Sequence, residues 1–235
     1  MDFSNKLFKA KFIKRYKRFF SDHILEDGTI VTAHCANTGA MLGITEKGVT
    51  SWLSKSDNPK RKLKWSWELV QKGKTFIGIN THNPNKIIQE AIQKNEIFEF
   101  DNYDSLKREV KYGTNSKIDI LLTDKIKKDC YVEIKNVHLS RKKGVAEFPD
   151  AVTTRGRKHL KELSLVSQSG LRAVMLFLIQ RNDCNFFKIA EDIDKEYAKA
   201  FNDAIKAGVE VICIDTTLNS KAINIGKKIQ LLEDN

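Results

Sequence analysis

The first third of the chain alternates short apolar runs with polar turns, which is the pattern of short β-strands. The runs lie at residues 11–25, 30–36 and 49–54, and glycines mark several of the turns between them. Asp27-Gly28 stands between two runs, and an Asp-Gly pair in that setting predicts a β-hairpin. Many short strands joined by glycine-bearing turns predict a small barrel or sandwich.

The pattern changes after Pro84, where apolar residues begin to recur at helical spacing. The predicted helices cover residues 85–97, 104–111, 155–167 and 194–208. Continuously apolar segments predict buried strands at 171–180 and 209–215. The predicted buried faces comprise Ile87, Ile88, Ala91 and Ile92 in the first helix, and Tyr197, Phe201, Ala204 and Ile205 in the last, which Gly208 ends.

A hairpin followed by alternating helices and strands predicts an α/β domain with a mixed sheet and helical crossovers. Together with the preceding β-rich part, the fold class is α/β (α+β overall). The change of pattern near residues 78–85 predicts two domains, residues 1–80 and residues 81–235.

Two strand-like runs of the second domain carry acids among apolar residues. Asp119 interrupts the run at 117–122, and Glu133 lies in the next run with Lys135 two positions on. Because side chains alternate along a strand, Glu133 and Lys135 project from one face, about 7 Å apart. If the two runs pair as a hairpin, Asp119 lies beside Glu133 on that face.

Neighbouring carboxylates repel unless a cation lies between them, and Mg²⁺, or Mn²⁺ in its place, prefers oxygen ligands. The predicted metal ligands are Asp119, Glu133 and the backbone carbonyl of Ile134. Lys135 is suited to hold or deprotonate an attacking water, and Glu109, on the helix predicted before the pair, is placed to reach the metal through water. These groups outline a site that cleaves phosphodiesters. In the alternative, Glu133 and Lys135 face solvent and Glu109 is a surface charge.

The charge of the chain is +11 and is unevenly distributed. Residues 1–80 hold 15 Lys and Arg against 7 Asp and Glu, whereas the rest hold 26 against 23. This excess predicts a polyanionic partner, and nucleic acid is favoured over anionic lipid because no amphipathic membrane helix is visible. The alternative is a basic surface that only aids solubility.

Cysteine spacing and hydropathy bear on the compartment. The four cysteines stand far apart without a C-x-x-C pair, which argues against a zinc ribbon or a disulfide framework. The first residues lack the apolar block of a signal peptide, and the apolar stretch at 173–179 is too short to span a bilayer. We therefore expect a cytoplasmic protein with no membrane association.

Several sequence motifs, occurring in the same order along the chain, resemble the sugar fermentation stimulation protein A family over nearly the full length. They are FIKRYKRF, HCANTGAM, SKSDNPKRKLKWSWELV, VEIKNVHL and FPDAVTTRGRKHLKEL. The resemblance implies an N-terminal OB-like β-barrel followed by a restriction-endonuclease-like mixed-sheet α/β domain, similar to the PD-(D/E)XK nucleases. It also implies DNA binding, a suggested DNA or RNA nuclease activity, and a regulatory role in sugar (maltose) metabolism. Under this resemblance Asp119 is the strand carboxylate, Glu133 and Lys135 form the E-x-K pair, and Glu109 is the helix acid.

Three basic clusters are candidate nucleic-acid contacts. Residues 12–20 interleave cations with aromatic rings, which suits an OB-fold that binds single strands, although the rings also fit the barrel core. The loop at 57–67 suits a phosphate clamp, and the start of the helix at 155–167 carries cations that oppose the helix dipole unless an anion binds there. The candidates are Lys14, Arg15, Lys17, Arg18, Lys60, Arg61, Lys62, Lys64, Arg155, Arg157 and Lys158.

Neighbouring residues have structural interpretations. Thr153 or Thr154 is a candidate cap for the helix, and Asp150 could pair with one of its arginines. His159 is expected on the helix surface and His34 in a turn network. The turn at residues 37–41 is expected to line the binding groove.

Three functions are consistent with these features. The first is a magnesium-dependent nuclease acting on DNA, with RNA as a second candidate. The second is a non-catalytic, sequence-nonspecific DNA-binding regulatory protein, and the third is an adaptor that recruits an acidic protein. The converging acids favour the first.

Overall fold

The computed structural model describes residues 1–113 and 116–232. It begins with strands β1 (Leu7–Tyr16), β2 (Phe20–Leu25), β3 (Ile30–His34), β4 (Thr50–Lys55), β5 (Trp65–Lys72) and β6 (Thr75–Gly78). These strands hydrogen-bond in the order β3-β2-β1-β4-β5-β6, and a further pairing of β3 with β5 closes the first five into a barrel. The predicted OB-like barrel is confirmed.

Inward-facing side chains fill the barrel. Phe12 stacks on Trp67 with ring centroids 4.8 Å apart, and both rings are buried. His23 is enclosed beside them, and its two ring nitrogens hydrogen-bond to the hydroxyls of Ser51 and Ser21 at 2.8 and 2.9 Å. Burial removes the ring from solvent and lowers the pKa of His23 to about 4, although the negative charge of Asp22 acts in the opposite direction.

The run predicted as one strand over residues 11–25 is two strands. A tight turn at residues 17–19 separates β1 from β2, and Lys17 and Arg18 take positive φ angles of 47° and 61°. The sequence has no glycine, proline or asparagine to mark this turn. The hairpin predicted at Asp27-Gly28 is confirmed, with Gly28 at φ 85°.

The rest of the chain forms an α/β unit. Its elements are α1 (Pro84–Gln93), a 3₁₀ turn (Phe98–Phe100), β7 (Ser105–Tyr112), β8 (Ser116–Thr123), β9 (Cys130–Val137), β10 (Leu139–Lys142), β11 (Gly144–Phe148), α2 (Thr154–Gln168), β12 (Arg172–Ile179), β13 (Cys184–Ile189), α3 (Lys195–Lys206), β14 (Glu210–Leu218), β15 (Ile223–Lys228) and β16 (Gln230–Leu231).

The main sheet is mixed, as predicted. Its order is β15-β14-β12-β9-β8-β7, with β9, β12 and β14 parallel and the outer strands antiparallel. Side chains of β12 alternate between two apolar layers: Leu176 packs with α1, whereas Met175 and Phe177 pack with α2 and α3. A smaller sheet, β10-β11-β13-β16, flanks it.

Two local predictions are wrong. Residues 104–111 are not a helix, because Ser105–Tyr112 pair with β8 as the edge strand of the main sheet. In α3, Ile205 is 42% exposed, although Tyr197, Phe201 and Ala204 are buried as expected.

The barrel and the α/β unit are joined by backbone hydrogen bonds as well as by the chain. Gly78 N–H donates to the Gln180 carbonyl at 2.8 Å. The division into residues 1–80 and 81–235 stays a prediction.

Within residues 1–113 and 116–232, no helix has both the length and the apolar composition to cross a bilayer.

Candidate active site

A cavity of about 370 Å³ opens where the barrel meets one end of the main sheet. Strands β8 and β9 contribute Asp119, Glu133 and Lys135 to its lining, and α2 contributes Arg155 and His159. The turn at residues 37–39 of the barrel lines it as well, so both parts of the molecule form this cavity.

Asp119 lies where the β8–β9 ladder opens. The two strands pair from Leu122 with Cys130 to Ile120 with Val132. Beyond that point the Asp119 side chain joins the strands, because its Oδ2 accepts the Ile134 N–H at 2.8 Å. The other oxygen accepts the side-chain amide of Asn85, from α1, also at 2.8 Å. The carboxylate is therefore fixed from two sides.

Glu133 is 2% exposed and is held by two basic side chains. Its Oε1 accepts the Lys135 Nζ at 2.7 Å and forms a short hydrogen bond with His159 Nδ1. Its Oε2 is buried with no hydrogen-bond partner among the described residues. A buried carboxylate oxygen in that position is costly unless it receives a cation, a water or a donor from a ligand.

The two acids have opposite electrostatic surroundings. Burial, followed by the charge of Glu133, raises the pKa of Asp119 above its ordinary value, and the Ile134 N–H and Asn85 amide oppose this only in part. Burial also acts to raise the pKa of Glu133, but Lys135 and His159 outweigh it, so that the pKa of Glu133 is lowered. Asp119 is thus the acid that a nearby positive charge would most favour in its ionised form.

The donor set fits a hard cation that brings other ligands with it. In the part of the chain that the structure describes, no three His, Cys, Asp or Glu side chains are grouped closely enough to hold a metal. Asp119 and Glu133 supply two carboxylates and one unpaired buried oxygen, which suits Mg²⁺ because that ion keeps several waters or substrate oxygens. The predicted role of the Ile134 carbonyl stays a prediction.

A third acid of the cavity lining, Asp150, connects the loop after β11 to the barrel. Asp150 Oδ2 accepts the Met41 N–H at 2.9 Å and lies 3.2 Å from His138 Nε2. Gly39 lies so close that a Cβ there would overlap the Asp150 carboxylate. The turn at 37–41 therefore docks directly against the loop that follows β11, and its residues 37–39 line the cavity. That this cavity is a binding groove stays a prediction.

Three expectations for individual side chains are wrong. His159 is not on the helix surface, because it lies on the inner face of α2 and contacts Glu133. Asp150 pairs with His138 rather than with an arginine. His34 ends β3 and lies parallel to the Phe19 ring instead of joining a turn network. The N-cap prediction is confirmed, since Thr153 Oγ1 accepts the Gly156 N–H.

The signal that could have found His159 is its spacing. It immediately precedes Leu160 and lies four residues before Leu163, and both leucines are buried against the sheet. On a helix such a residue shares the inner face.

The first basic cluster divides into structural and exposed cations. Arg15 directs its guanidinium to the backbone, donating to the carbonyls of Arg18, Asn37 and Gly39 at 3.0, 2.6 and 2.8 Å. It therefore fixes the turn at 37–41, and its predicted contact with nucleic acid stays a prediction. Lys14 lies 3.8 Å from Asp22, whereas Lys17 and Arg18 are exposed in the β1–β2 turn.

The loop at 57–67 shows a similar division. Lys64 donates to the carbonyls of Asn58 and Pro59, and Arg61 donates to the Ser66 hydroxyl at 2.6 Å. Lys60 and Lys62 are exposed.

At the start of α2, Arg155 is exposed at the cavity and its Nε donates to His159 Nε2 at 3.3 Å. Arg157 lies 3.7 Å from Asp194, and Lys158 lies 3.7 Å from Glu162. Of this cluster only Arg155 lines the cavity, and the nucleic-acid contacts of all three stay predictions.

Glu109 is not brought to the site. It lies on the exposed edge strand β7, with a positive φ of 53°, and is not part of the cavity lining. Glu109 was predicted to reach the metal from a helix, but residues 105–112 form strand β7 instead.

Comparison with known proteins agrees with this architecture. Residues 13–79 match the SfsA N-terminal OB domain, and residues 82–222 match the sugar fermentation stimulation protein RE domain. A sugar fermentation stimulation protein homolog from Maricaulis maris is 51% identical over 231 residues, covering 98% of each chain. A homolog from a Ruegeria species is 50% identical over 227 residues, covering 96% of this chain and 98% of that one.

A solved structure shares the complete fold. SfsA of Pyrococcus furiosus, in complex with Ca²⁺, covers 99% of this chain with a TM-score of 0.90 at 24% identity, and 98% of its own chain is matched. The matches to the two family domains and the relatives at about 50% identity confirm the family resemblance of the motifs. The chain belongs to the sugar fermentation stimulation protein family.

Proposed function

We propose that the protein is a metal-dependent nuclease that hydrolyses phosphodiester bonds in nucleic acid. The observation that carries this proposal is the presence of Asp119 and Glu133 in the lining of one cavity, close enough for the charge of Glu133 to act on Asp119. Lys135 is hydrogen-bonded to Glu133, and Glu133 Oε2 is left without a partner among the described residues. Asp119 and Glu133 would hold Mg²⁺ or Mn²⁺. When bound, that ion supplies Lewis acidity toward a phosphoryl oxygen and lowers the pKa of water.

The side chains of the chain itself have separate roles in this proposal. Lys135 places its ammonium at the cavity, where it offsets negative charge on a phosphoryl group and orients water. His159 and Lys135 together hold the Glu133 carboxylate in one orientation. Arg155, exposed at the same cavity, binds a phosphate of the substrate.

The resemblance to an OB domain supports nucleic acid as the substrate, since that fold binds single strands in basic grooves. The relative in complex with Ca²⁺ supports a divalent cation, although Ca²⁺ is the ion of that protein. The four cysteines, all free and buried, are in keeping with the reducing cytoplasm, where we place the activity.

A purely DNA-binding function explains the basic charge but not the site. It gives no reason for a second acid beside Glu133 or for the buried, unpaired oxygen of Glu133. The nuclease proposal accounts for both.

The test is cleavage of end-labelled DNA and RNA, single-stranded and duplex, by purified protein with Mg²⁺, Mn²⁺ or EDTA. We expect cleavage with either metal and none in EDTA. Asp119→Asn and Lys135→Met should each slow cleavage by about 100-fold or more, as expected for loss of a charge-stabilising group.

Asp203→Asn, on the exposed face of α3, is the matched control and should cleave like the unmodified protein. Binding should survive in Asp119→Asn, because that change removes a negative charge. Cleavage that persists at the unmodified rate in Asp119→Asn would show a contaminating nuclease or a different site, and the proposal would fail.

A further inference from the structure

A second cavity, of about 390 Å³, lies on the other side of the linker between the barrel and α1. His34, Arg61 and His82 line it, whereas Thr81 of the same linker lines the catalytic cavity. The Thr81 hydroxyl donates to the Ala36 carbonyl at 3.0 Å and fixes the linker between the two cavities. Residues 80–85 therefore contribute side chains to both cavities.

Three rings form a row at this cavity: His34 and His82 line it, and Phe19 lies beside His34 outside the lining. The Phe19 ring lies almost parallel to His34, at 11° with centroids 6.2 Å apart, and His34 meets His82 edge to face at 6.4 Å. Phe19 is 44% exposed, and His82 is exposed as well. Such rings offer flat apolar faces to a ligand.

The backbone holds Phe19 outward at a cost. Its N–H donates to the Lys17 carbonyl at 2.7 Å, closing a three-residue turn in which Arg18 has a φ of 61°. Turns of this form are rare and strained for residues other than glycine. The Phe19 carbonyl accepts the Cys35 N–H at 2.9 Å, which ties the turn to the end of β3. Strain kept at an exposed ring is typical of a functional surface.

Cationic groups accompany the rings. Arg61 donates to the Ser66 hydroxyl, which fixes its guanidinium in the cavity, and its charge contributes to lowering the pKa of His34, after burial as the first cause. The lowered pKa of His34 favours the neutral ring, the form that stacks on bases without a charge. Lys17 and Arg18 are exposed beside Phe19. Faces for bases and cations for phosphates thus occur together.

Glu68 is the buried acid in the floor of this cavity. Its carboxylate accepts the Ser54 hydroxyl and the amides of Asn80 and Asn83 at 2.7, 2.7 and 3.2 Å. These neutral donors stabilise its negative charge without removing it, so the phosphates of a ligand are assigned to the cations and the bases to the rings.

We propose that the nucleobase cleft, formed by Phe19, His34, Arg61 and His82, binds unpaired bases of a single-stranded nucleic acid. Bases in a duplex have both faces covered by their neighbours, so only an unpaired strand can stack on these rings. The proposal names the substrate class of the proposed nuclease and rests on that function only for the cleavage of the bound strand.

The experiment measures binding in EDTA, where no cleavage occurs, by fluorescence anisotropy. The probes are a 15-nucleotide oligothymidylate, the matching oligouridylate and a 15-base-pair duplex. At one salt concentration, at least one single strand should bind about tenfold more tightly than the duplex. The two single-strand arms decide between DNA and RNA.

Variants separate stacking from charge. Phe19→Ala should weaken single-strand binding about tenfold and leave duplex binding unchanged, since stacking of one base contributes on this scale. Its salt dependence should not change, whereas Arg61→Ala should lower the slope by about one phosphate contact. Phe19→Trp should restore affinity, and Phe98→Ala, at an 82% exposed ring outside both cavities, is the control.

Equal affinity for single strands and duplex, no binding, or a Phe19→Ala variant that loses both equally would overturn the cleft. Single-strand selectivity without any cleavage in Mg²⁺ would instead refute the nuclease and leave the cleft standing. Cleavage without selectivity would do the reverse.

Discussion

Glu133 is unusual because one of its oxygens has two basic partners and the other has none. Lys135 and His159 both contact Oε1, whereas Oε2 is buried without a described partner. An acid held in this way cannot rotate to find a donor, so its free oxygen is kept for something that enters the cavity. His159 is then a positioning residue for the proposed metal ligand.

We expect His159→Ala to slow Mg²⁺-dependent cleavage by about 10- to 100-fold, because residues that orient metal ligands contribute on this scale. The Mg²⁺ concentration that gives half-maximal cleavage should rise as well. His159→Gln, which keeps a donor, should recover part of both, and Lys161→Ala on the exposed face of α2 should change neither. A half-maximal Mg²⁺ concentration that stays unchanged in His159→Ala would refute the positioning role.

A second prediction concerns His23, which is buried and neutral in the barrel core. Its pKa is about 4 in the folded protein against 6.5 in the unfolded chain, so acid protonates the unfolded state first. The stability from neutral His23 is complete above pH 6.5 and is lost as the pH falls toward 4, by about 3 kcal/mol.

Urea unfolding at several pH values measures this effect. His23→Gln should flatten the fall in unfolding free energy between pH 6.5 and 4, because other titrating groups are common to both proteins. Parallel pH profiles for the two proteins would show that His23 is not the group responsible.

Residue identities in the site were predictable only in part. Asp119, Glu133 and Lys135 follow from strand alternation and a hairpin, both of which are local in sequence. The contact of His159 with Glu133 depends on how α2 is positioned along strand β9. That position is set by tertiary packing, which no local sequence pattern specifies. For the same reason Asp150 could not be assigned to His138.

At the scale of elements, the types of the long periodic segments were predicted correctly, whereas the edge strand β7 of the main sheet was not. Helix α1 and strand β12 have unambiguous apolar patterns. Strand β12 lies within one residue of its predicted bounds, whereas α1 begins one residue before its predicted start and ends four residues before its predicted end. Strand β7 was predicted as a helix over residues 104–111. Its apolar residues Leu106 and Val110 are four residues apart, a spacing that fits either structure. Its pairing with β8, a tertiary contact, decides between them.

The turn at residues 37–41 is the element that couples barrel and sheet, and its prediction concerns Gly39. A methyl group there would overlap the Asp150 carboxylate, so Gly39→Ala should lower the unfolding free energy by about 1–3 kcal/mol. The same change in an Asp150→Ala background should cost clearly less, since the overlapping group is gone.

A double-mutant cycle by urea unfolding measures this coupling. Additive effects of the two substitutions would show that Gly39 and Asp150 do not meet, and that the two parts of the cavity are held together by other contacts.

At the scale of the whole molecule, the net charge does not show which individual cations are available to a ligand. Arg15 has three donors committed to the backbone, whereas Lys17 and Arg18 are exposed in the next turn. Composition could locate the basic excess in the barrel but could not separate these two uses of a cation.

We therefore expect Lys17→Ala and Arg18→Ala each to lower the slope of log affinity against log salt by about one, with no loss of stability. Arg15→Ala should do the opposite, lowering the melting temperature while leaving the slope nearly unchanged. Salt titrations of oligonucleotide binding, with thermal melts, compare all three. A slope change in Arg15→Ala as large as that in Lys17→Ala would restore Arg15 as a phosphate contact.

The central claim is that Asp119 holds a divalent cation used in phosphodiester cleavage, and ligand replacement tests it most directly. Thiolate binds soft cations better than it binds Mg²⁺. Cleavage of a labelled single strand should therefore be lost in Asp119→Cys with Mg²⁺ and recovered in part with Mn²⁺ or Cd²⁺, and Asp119→Ala should recover with neither. Equal cleavage by the unmodified protein, Asp119→Cys and Asp119→Ala in Mg²⁺ would contradict the account.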